Sequence, residues 1–323
     1  MEGKSATNLL ALSSDPASLG DGGFWAVSVS YEGEWHCAKF GDVADEPFNA
    51  NNSWPASDDQ WESTFSKQGY IDYVERIRLA IADGDIYQAN ACRIYSRKNL
   101  ESLEGLFANL LASNPAPYSS YLRIPGVEIA SASPELFFEM TDGEGKRRVK
   151  TSPVKGTSAT EKFPEKDRSE NIMIVDLMRN DLSSLCETGS VSIPRLLAVE
   201  PHPGLFHLVS DVVGDLRAEV GWREIADRLL PAGSISGAPK SSATSVIAAN
   251  ESKRGPYCGL IGWVHGEQAV LAVAIRTFWQ DEDRIHFGSG AGITWSSDAK
   301  AEWDETVLKA SRLLKIAGGR FNQ

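Results

Sequence analysis

Several features that would identify common classes of protein are missing from this chain of 323 residues. No apolar run approaches the roughly 20 residues of a membrane-spanning helix, and the first residues show no basic region followed by a long apolar core. The four cysteines lack Cys-x-x-Cys spacing and the five histidines are dispersed, so neither a zinc site nor a disulfide framework is expected. We therefore expect a cytoplasmic protein with buried, reduced thiols and no membrane contact.

Positive charge is also scarce. Lysine and arginine total 32 against 44 aspartates and glutamates, which gives a net charge of −12. This balance argues against nucleic acid or an anionic membrane surface as a partner. It also makes any converging group of lysines and arginines informative, because a doubly anionic substrate would need one. No cysteine has a Gly-x-Cys-x-Gly context, so a built-in glutaminase is not expected.

The predicted elements mix strands and helices without a βαβ repeat or a Gly-x-Gly-x-x-Gly loop. Alternating apolar residues predict a strand at 24–31, and helical periodicity predicts a helix at 67–82 that Gly84 ends. Further helices are predicted at 103–111, 169–181, 222–229, 238–250 and 299–316, and further strands at 86–95, 118–123, 127–131, 137–140, 258–264, 269–278 and 285–289. We expect one large α+β domain that covers residues 1–323.

Two parts of the chain contain groups of residues that are suited to catalysis or metal binding. The segment Thr151-Ser152-Pro153-Val154-Lys155-Gly156-Thr157 places one lysine in a turn bounded by proline and glycine, where its amine can be held rigidly. Asp167 and Glu170 open a helix, and Glu302, Glu305 and Lys309 lie on one helix face because they are spaced by three and seven residues. A rigid amine, four carboxylates and further cations suggest a metal-assisted reaction on a small anionic molecule.

These segments, together with others in the same order, resemble the chorismate-utilising enzymes, and among them the component I family of the aminodeoxychorismate synthases. The matching segments lie within residues 84–316 and include GDIYQAN, SPE, PVKGT, KDRSENIMIVDLMRNDL, FHLV, GSISGAPK, AIRT, GSGAGI and EWDET. The resemblance implies two stacked, mostly antiparallel sheets with helices on the outside. It also implies a catalytic core at 84–316 after a shortened N-terminal part at 1–80.

The resemblance further implies a reaction of chorismate with ammonia that gives 4-amino-4-deoxychorismate for 4-aminobenzoate and folate synthesis. Lys155 stands where anthranilate synthases carry alanine, and its neutral amine would attack C2 of chorismate as the C4 hydroxyl leaves. A purely electrostatic role for Lys155 is the alternative. Other possible functions are those of an anthranilate synthase, an aminodeoxyisochorismate synthase or a non-catalytic chorismate-binding subunit.

By the same resemblance, Glu135 of the Ser-Pro-Glu segment is a general acid and base for the departing hydroxyl, or else a strand-end partner of an arginine. Glu170 and Glu305 would bind Mg²⁺ directly, with Glu302 and Asp167 acting through water, because carboxylates and water suit this ion. Ordinary solvated helix faces are the alternative for these acid pairs.

The remaining expectations concern the substrate and its nucleophile. The resemblance implies a carboxylate receptor and further pocket positions, which are Arg276, Lys309, the backbone amides of Gly290, Ala291 and Gly292, and Tyr257, Ser234 and His207. His207 could equally be a core histidine, and Lys240 could lie in the pocket or on the surface. Isochorismate and salicylate synthases carry a lysine base at the position of Gln88, and glutamine cannot activate water in that way. Ammonia from a separate glutamine amidotransferase is therefore the expected nucleophile.

Overall fold

The computed structural model describes residues 1, 3–143, 145–158, 160–202 and 205–321, without the side chains of Thr157, His202 and Leu205. Within these residues the chain forms two antiparallel sheets and six α-helices. The predicted α+β class with two sheets is therefore confirmed. No helix of this described part is both long enough and apolar enough to cross a membrane.

The larger sheet has ten strands and collects the N-terminal strands with strands from the middle of the chain. Its spatial order is β1-β3-β2-β14-β15-β8-β9-β12-β10, and β11 adds to β12. The strands are β1 (Lys4–Ser13), β2 (Phe24–Val29), β3 (Trp35–Asp45), β8 (Leu136–Gly143), β9 (Lys146–Ser152), β10 (Val154–Ser158), β11 (Ser192–His202), β12 (Leu205–Asp215), β14 (Leu260–His265) and β15 (Gln268–Val273).

The smaller sheet has seven strands in the order β13-β5-β17-β16-β7-β6, with β4 paired to β5. Its strands are β4 (Glu62–Ser63), β5 (Gln88–Lys98), β6 (Tyr118–Ile124), β7 (Val127–Ser133), β13 (Gly237–Ala238), β16 (Thr277–Asp281) and β17 (Arg284–Ile293). The helices are α1 (Lys67–Ala82), α2 (Glu104–Ser113), α3 (Glu165–Ser183), α4 (Trp222–Leu229), α5 (Lys240–Ala248) and α6 (Ala299–Ala317).

Buried hydrophobic side chains pack the two sheets together and pack the helices against the sheets. The largest core cluster combines side chains of the larger sheet, such as Val27 and Phe138, with Ile94 and Ile129 of the smaller sheet, and it extends to α3 and α4. Two further clusters pack α1, α2, α5 and α6 against the smaller sheet. All four cysteines are buried free thiols, as expected. The core therefore fixes α3 and α6, which carry the predicted acidic residues.

The predicted strand at 269–278 is wrong, because the structure divides it between the two sheets. β15 ends at Val273 in the larger sheet and β16 begins at Thr277 in the smaller sheet. Arg276 lies in the connection with a φ of +53°, a left-handed conformation that interrupts an extended strand. The apolar residues on both sides are buried in either case, so the sequence pattern does not reveal the crossing.

Between 183 and 221 the sequence pattern predicts no strand, yet β11 and β12 form a hairpin here. Pro194 and Pro201 interrupt the β11 pattern, and proline is tolerated in this position because β11 is an edge strand.

A buried ion pair connects several of these elements. Arg254, which is 1% exposed, donates to both carboxylate oxygens of Glu251 at 2.7 and 2.9 Å. It also donates to the carbonyls of Ile235 at 3.0 Å and Asn90 at 2.7 Å. Glu251 in turn accepts from the hydroxyl of Tyr73 on α1 at 2.7 Å. The pair therefore ties the 233–235 loop to β5 and α1.

Candidate active site

Lys155 lies on a short irregular strand rather than in the predicted turn. Between Val154 and Thr157, β10 carries one residue more than the facing part of β12, so Lys155 and Gly156 form a β-bulge. Bulges redirect side chains, and they are frequent beside active sites. The half-buried Lys155 donates from Nζ to the carbonyl of Ser234 at 2.8 Å. Its amine is therefore held at the 233–235 loop.

Gly156 allows α3 to approach this bulge closely. Its φ is +88°, and a Cβ placed on it would lie 2.8 Å from Oδ2 of Asp167 and 2.9 Å from Cδ1 of Phe163. Only glycine adopts this conformation without strain and leaves room for both neighbours. The first turn of α3 therefore packs directly against the residue that follows Lys155.

Glu135 lies between β7 and β8 and is 3% exposed. Burial raises the pKa of its carboxyl, while the nearby Ser234 hydroxyl, the Lys155 amine and the Val154 backbone partly oppose this rise. Its Oε1 atom has no hydrogen-bond partner. A carboxyl with a raised pKa favours the protonated form, which can donate its proton to a departing group.

The facing helices α3 and α6 contribute a cluster of charged side chains. The Lys166 ammonium lies 2.9 Å from Oε1 of Glu302 and 3.8 Å from Oε1 of Glu170. Burial raises the pKa of the Glu170 carboxyl, although Lys155 and Lys166 act against this rise. Glu302 is 3% exposed, which is expensive for a carboxylate unless a cation compensates it. The structure thus brings two predicted metal ligands together around a lysine.

The other two predicted metal ligands lie beside this pair. Glu305 accepts a salt bridge from Lys309 at 2.6 Å, and Lys309 also donates to the carbonyl of Gly290 at 3.1 Å. Burial opposes ionisation of Glu305, but the Lys309 ammonium outweighs it and lowers the pKa of the carboxyl. Burial and the Glu305 charge raise the pKa of Asp167. The ammonium groups of Lys155, Lys166 and Lys309 therefore act on the pKa of both acids.

Within the described part of the chain, several buried polar atoms of this region lack a hydrogen-bond partner. They are Gln88 Oε1, Glu135 Oε1, Glu170 Oε1, Ser234 Oγ and Glu302 Oε2. Buried polar groups are nearly always satisfied in proteins, so their concentration in one region indicates a binding site. Gly292 lies beside two of these side chains, because a Cβ there would lie 2.6 Å from Gln88 Nε2 and 3.7 Å from Glu170 Oε2.

The acidic side chains fit Mg²⁺ by their chemistry. Among the described residues, no three His, Cys, Asp or Glu side chains are already grouped as a metal site, and Lys166 lies between Glu170 and Glu302 instead. Both glutamates nevertheless have a buried oxygen without a hydrogen bond, and hard carboxylate oxygens are the ligands that Mg²⁺ prefers. The magnesium site stays a prediction.

The glycine-rich end of β17 has one open edge. Its pairing with β5 continues to Ile293, whereas its pairing with β16 stops near Thr277 and Phe287. In an antiparallel strand the N–H groups alternate between the two edges, so part of the 288–293 segment presents N–H groups away from β5. Such groups can bind a carboxylate, as predicted for Gly290, Ala291 and Gly292.

Arg276 lies where this edge opens, directly before Thr277. Among the described residues no carboxylate lies within salt-bridge distance of its guanidinium, and the guanidinium makes no side-chain hydrogen bond there. Burial and the neighbouring Arg312 lower its pKa. Arg312 lies three residues after Lys309 on α6, so it shares that helix face. A half-buried cation that has no acidic partner among the described residues is suited to an anionic ligand.

Three other predicted pocket residues are Tyr257, His207 and Lys240. The buried Tyr257 packs its ring against Gly288, and the buried His207 lies on β12 opposite Thr157. Lys240 pairs with Asp181 at 2.7 Å and donates to the carbonyl of Leu229 at 3.2 Å. Asp181 lies eleven residues, or about 16 Å, along α3 from Glu170. Lys240 therefore stabilises the end of α4.

Sequence reasoning missed two parts of this region. Lys166 was not predicted to belong to the site, although its i,i+4 spacing to Glu170 is a usable signal for an ion pair. The role of Arg254 in holding the loop that contains Ser234 had no sequence signal, because its partners Asn90 and Ile235 lie far away along the chain.

Residues 24–315 match the protein family described as chorismate binding enzyme. This match covers most of the chain. The chain belongs to the chorismate binding enzyme family. The expected relationship to chorismate-utilising enzymes is thus confirmed at the level of the family.

Relatives of this chorismate binding enzyme carry two different names. It is 34% identical over 271 residues to anthranilate synthase component 1 of Aquifex aeolicus, covering 79% of this chain and 54% of that protein. It is 33% identical over 271 residues to aminodeoxychorismate synthase component 1 of Klebsiella aerogenes, covering 79% of this chain and 59% of that protein. The chain thus spans less than two thirds of either relative, and their names do not distinguish the product.

Solved structures confirm the fold of this chorismate binding enzyme. Anthranilate synthase component I from Streptococcus pneumoniae superposes with a TM-score of 0.79 at 26% identity, covering 90% of this chain and 80% of that one. A menaquinone-specific isochorismate synthase from Escherichia coli superposes with a TM-score of 0.78 at 14% identity, covering 97% and 85%. The second likeness concerns the fold alone.

We predict that Gly156→Ala displaces Lys155 and lowers chorismate turnover by more than about tenfold. The new methyl group meets Asp167 and Phe163, and the left-handed backbone adds strain, so we also expect a loss of about 1–3 kcal/mol of stability. Steady-state kinetics and denaturant unfolding measure the two effects. Gly126→Ala is the matched control, because Gly126 has a φ of +77° and no atom within 4 Å of the added Cβ. Equal effects of the two variants on turnover would contradict the prediction.

Proposed function

We propose that this chain is the synthase component of an aminodeoxychorismate synthase. It converts chorismate and ammonia to 4-amino-4-deoxychorismate, a precursor of 4-aminobenzoate in folate synthesis, and it uses Mg²⁺. The observation that carries the proposal is the position of Lys155 on its bulge, with the buried Glu135 carboxyl and the open end of β17 in the same part of the molecule.

The reaction begins with the Lys155 amine, which must be neutral to act as a nucleophile. Its nitrogen forms a bond to C2 of chorismate, both ring double bonds shift by one position, and the C4–O bond breaks. Ammonia then forms a bond to C4, both double bonds shift back, and the C2–N bond to Lys155 breaks. One hydroxyl is exchanged for one amino group, and the lysine is regenerated.

Glu135 supplies the proton that this sequence requires. Hydroxide is a poor leaving group, so the C4 oxygen has to receive a proton as its bond breaks and departs as water. The raised pKa of Glu135 favours the protonated carboxyl that can donate it. Afterwards the carboxylate accepts a proton from the ammonium group that forms at C4. The residue therefore acts first as an acid and then as a base.

The remaining charges bind the two carboxylates of the substrate. Arg276 and the N–H groups of the 288–293 segment that point away from β5 would form one receptor, with Lys309 beside it. Glu170 and Glu305, helped by Glu302 and Asp167, would hold Mg²⁺, which neutralises carboxylate charge and orients the substrate when it is bound. The cations raise the local concentration of an anionic substrate on a protein that is otherwise acidic.

Three other functions would use much of the same site. Anthranilate synthase and aminodeoxyisochorismate synthase add nitrogen at C2, and they do not require an amine at position 155. A non-catalytic chorismate-binding subunit would not require the set of Lys155, Glu135, Glu170 and Glu305. Lys155 favours the 4-amino product, and identification of the product decides among the candidates.

We predict that the purified chain with chorismate, Mg²⁺ and ammonium forms 4-amino-4-deoxychorismate. Mass spectrometry identifies this product, and a lyase that acts on it then yields 4-aminobenzoate. A parallel reaction without the lyase shows whether the chain alone makes an aromatic amine. Anthranilate, isochorismate or aminodeoxyisochorismate as the main product would refute the proposal, and no turnover would favour a binding subunit.

We predict that Lys155→Ala lowers kcat by roughly a thousandfold or more, equivalent to about 4 kcal/mol, while chorismate still binds. The reason is loss of the covalent route rather than loss of the substrate receptor. Intact-protein mass spectrometry with chorismate and no ammonia should show an adduct that lacks one water, and only when Lys155 is present. Lys155→Arg is the control, since it keeps the charge. Substantial turnover by the arginine variant, with no adduct on the parent chain, would mean that Lys155 acts only as a charge.

We predict that glutamine alone does not support turnover by this chain, because none of its four buried cysteines lies in a nucleophile turn. Ammonium should support turnover increasingly as pH rises toward the pKa of ammonia, since only the neutral form attacks carbon. Addition of a glutaminase subunit should restore the use of glutamine at neutral pH. Sustained product formation from glutamine by the chain alone would reveal a hydrolytic site and contradict this prediction.

A further inference from the structure

Lys166 occupies a central position in the acidic cluster. It lies in the first turn of α3, and its Nζ atom is 2.9 Å from Glu302 Oε1 and 3.8 Å from Glu170 Oε1. The Glu302 side chain is only 4% exposed and the Glu170 side chain 13%, whereas the lysine side chain is 36% exposed. The ammonium therefore compensates two carboxylates that are largely shielded from water.

A divalent cation between α3 and α6 would need the same oxygens. Mg²⁺ takes carboxylate oxygens at about 2.0–2.1 Å, and it repels an ammonium that binds the same carboxylate. Lys166 reaches the cluster on a flexible four-carbon stem, and its exposed fraction leaves it a route toward solvent. Among the described residues, Oε2 of Glu302 makes no hydrogen bond, and the Glu170 oxygen without one is the Oε1 atom that faces Lys166.

We propose that Lys166 is an internal competitor of Mg²⁺, whose ammonium leaves Glu302 and Glu170 when the ion binds. This inference rests on the magnesium site of the proposed function. Lys166 is a positioning residue in this scheme. It keeps the two buried carboxylates compensated, and it weakens the affinity of the site for the metal. By linkage, an anionic ligand that draws the ammonium away from Glu302 strengthens metal binding, and the metal strengthens binding of that ligand.

The test measures metal binding directly, without chorismate or ammonia. Mn²⁺, which also prefers carboxylate ligands, is titrated into each protein and its free fraction is read by electron paramagnetic resonance. Mg²⁺ then competes for the same site. Removal of the ammonium in Lys166→Met should tighten the binding of Mn²⁺ and of Mg²⁺ by about tenfold. Lys166→Gln should act in the same direction, and it keeps a polar side chain if the methionine variant folds poorly.

Two variants control for charge and for shape. Lys166→Arg keeps the positive charge and can bind a carboxylate through two hydrogen bonds, so its metal affinity should equal or fall below that of the parent chain. Lys300→Met removes one positive charge from α6, where Lys300 pairs with Asp304 at 2.8 Å on the exposed side. Its affinity should change by less than about twofold. Mn²⁺ should also raise the Tm of Lys166→Met more than that of the parent chain.

Unchanged or weaker metal binding in both Lys166→Met and Lys166→Gln would overturn the competition, as would an equal gain in Lys300→Met. Failure of the magnesium site itself gives a different result. Glu170→Gln and Glu305→Gln should each weaken Mn²⁺ binding at least tenfold if their carboxylates are direct ligands. If neither changes it, the metal binds elsewhere and the proposed magnesium site fails together with the competition.

Discussion

The buried ion pair of Glu251 and Arg254 is the interaction on which the rest of this site depends. Arg254 holds the carbonyl of Ile235, and the neighbouring carbonyl of Ser234 holds the amine of Lys155. Because the pair is fully buried, loss of one partner would leave an uncompensated charge, which typically costs about 3–5 kcal/mol. The buried ion pair therefore holds the loop whose carbonyl group positions the Lys155 amine.

The charged side chains of α3 and α6 are arranged differently from this ion pair. Glu170 and Glu302 are each compensated by Lys166, and Glu305 by Lys309, yet one oxygen each of Glu135, Glu170 and Glu302 makes no hydrogen bond to the described residues. A region optimised for stability alone would satisfy these atoms. Unsatisfied donors and acceptors are instead suited to a ligand that supplies the missing partners, which agrees with an anionic substrate and a dication.

Several features of the site follow from the way the chain moves between the two sheets. β16 begins only after the break at Arg276, so it does not pair with the part of β17 that contains Gly290 and Gly292. The bulge at Lys155 similarly interrupts β10 next to α3. In both places the strand departs locally from regular geometry. Polar groups that regular pairing would have used in hydrogen bonds between strands are therefore left exposed. The substrate receptor and the amine thus arise from interruptions of the sheets.

The sequence by itself determined the helices and the family resemblance. Helices α1, α4 and α6 follow predictable bounds because periodicity and end signals are local, and the acidic pairs of α3 and α6 follow from helix geometry. Only the tertiary structure decided that Arg276 divides a predicted strand, that Lys240 pairs with Asp181, and that Lys166 lies between two predicted metal ligands. These outcomes depend on residues far apart in the chain, because burial and charge compensation are set by neighbours in space.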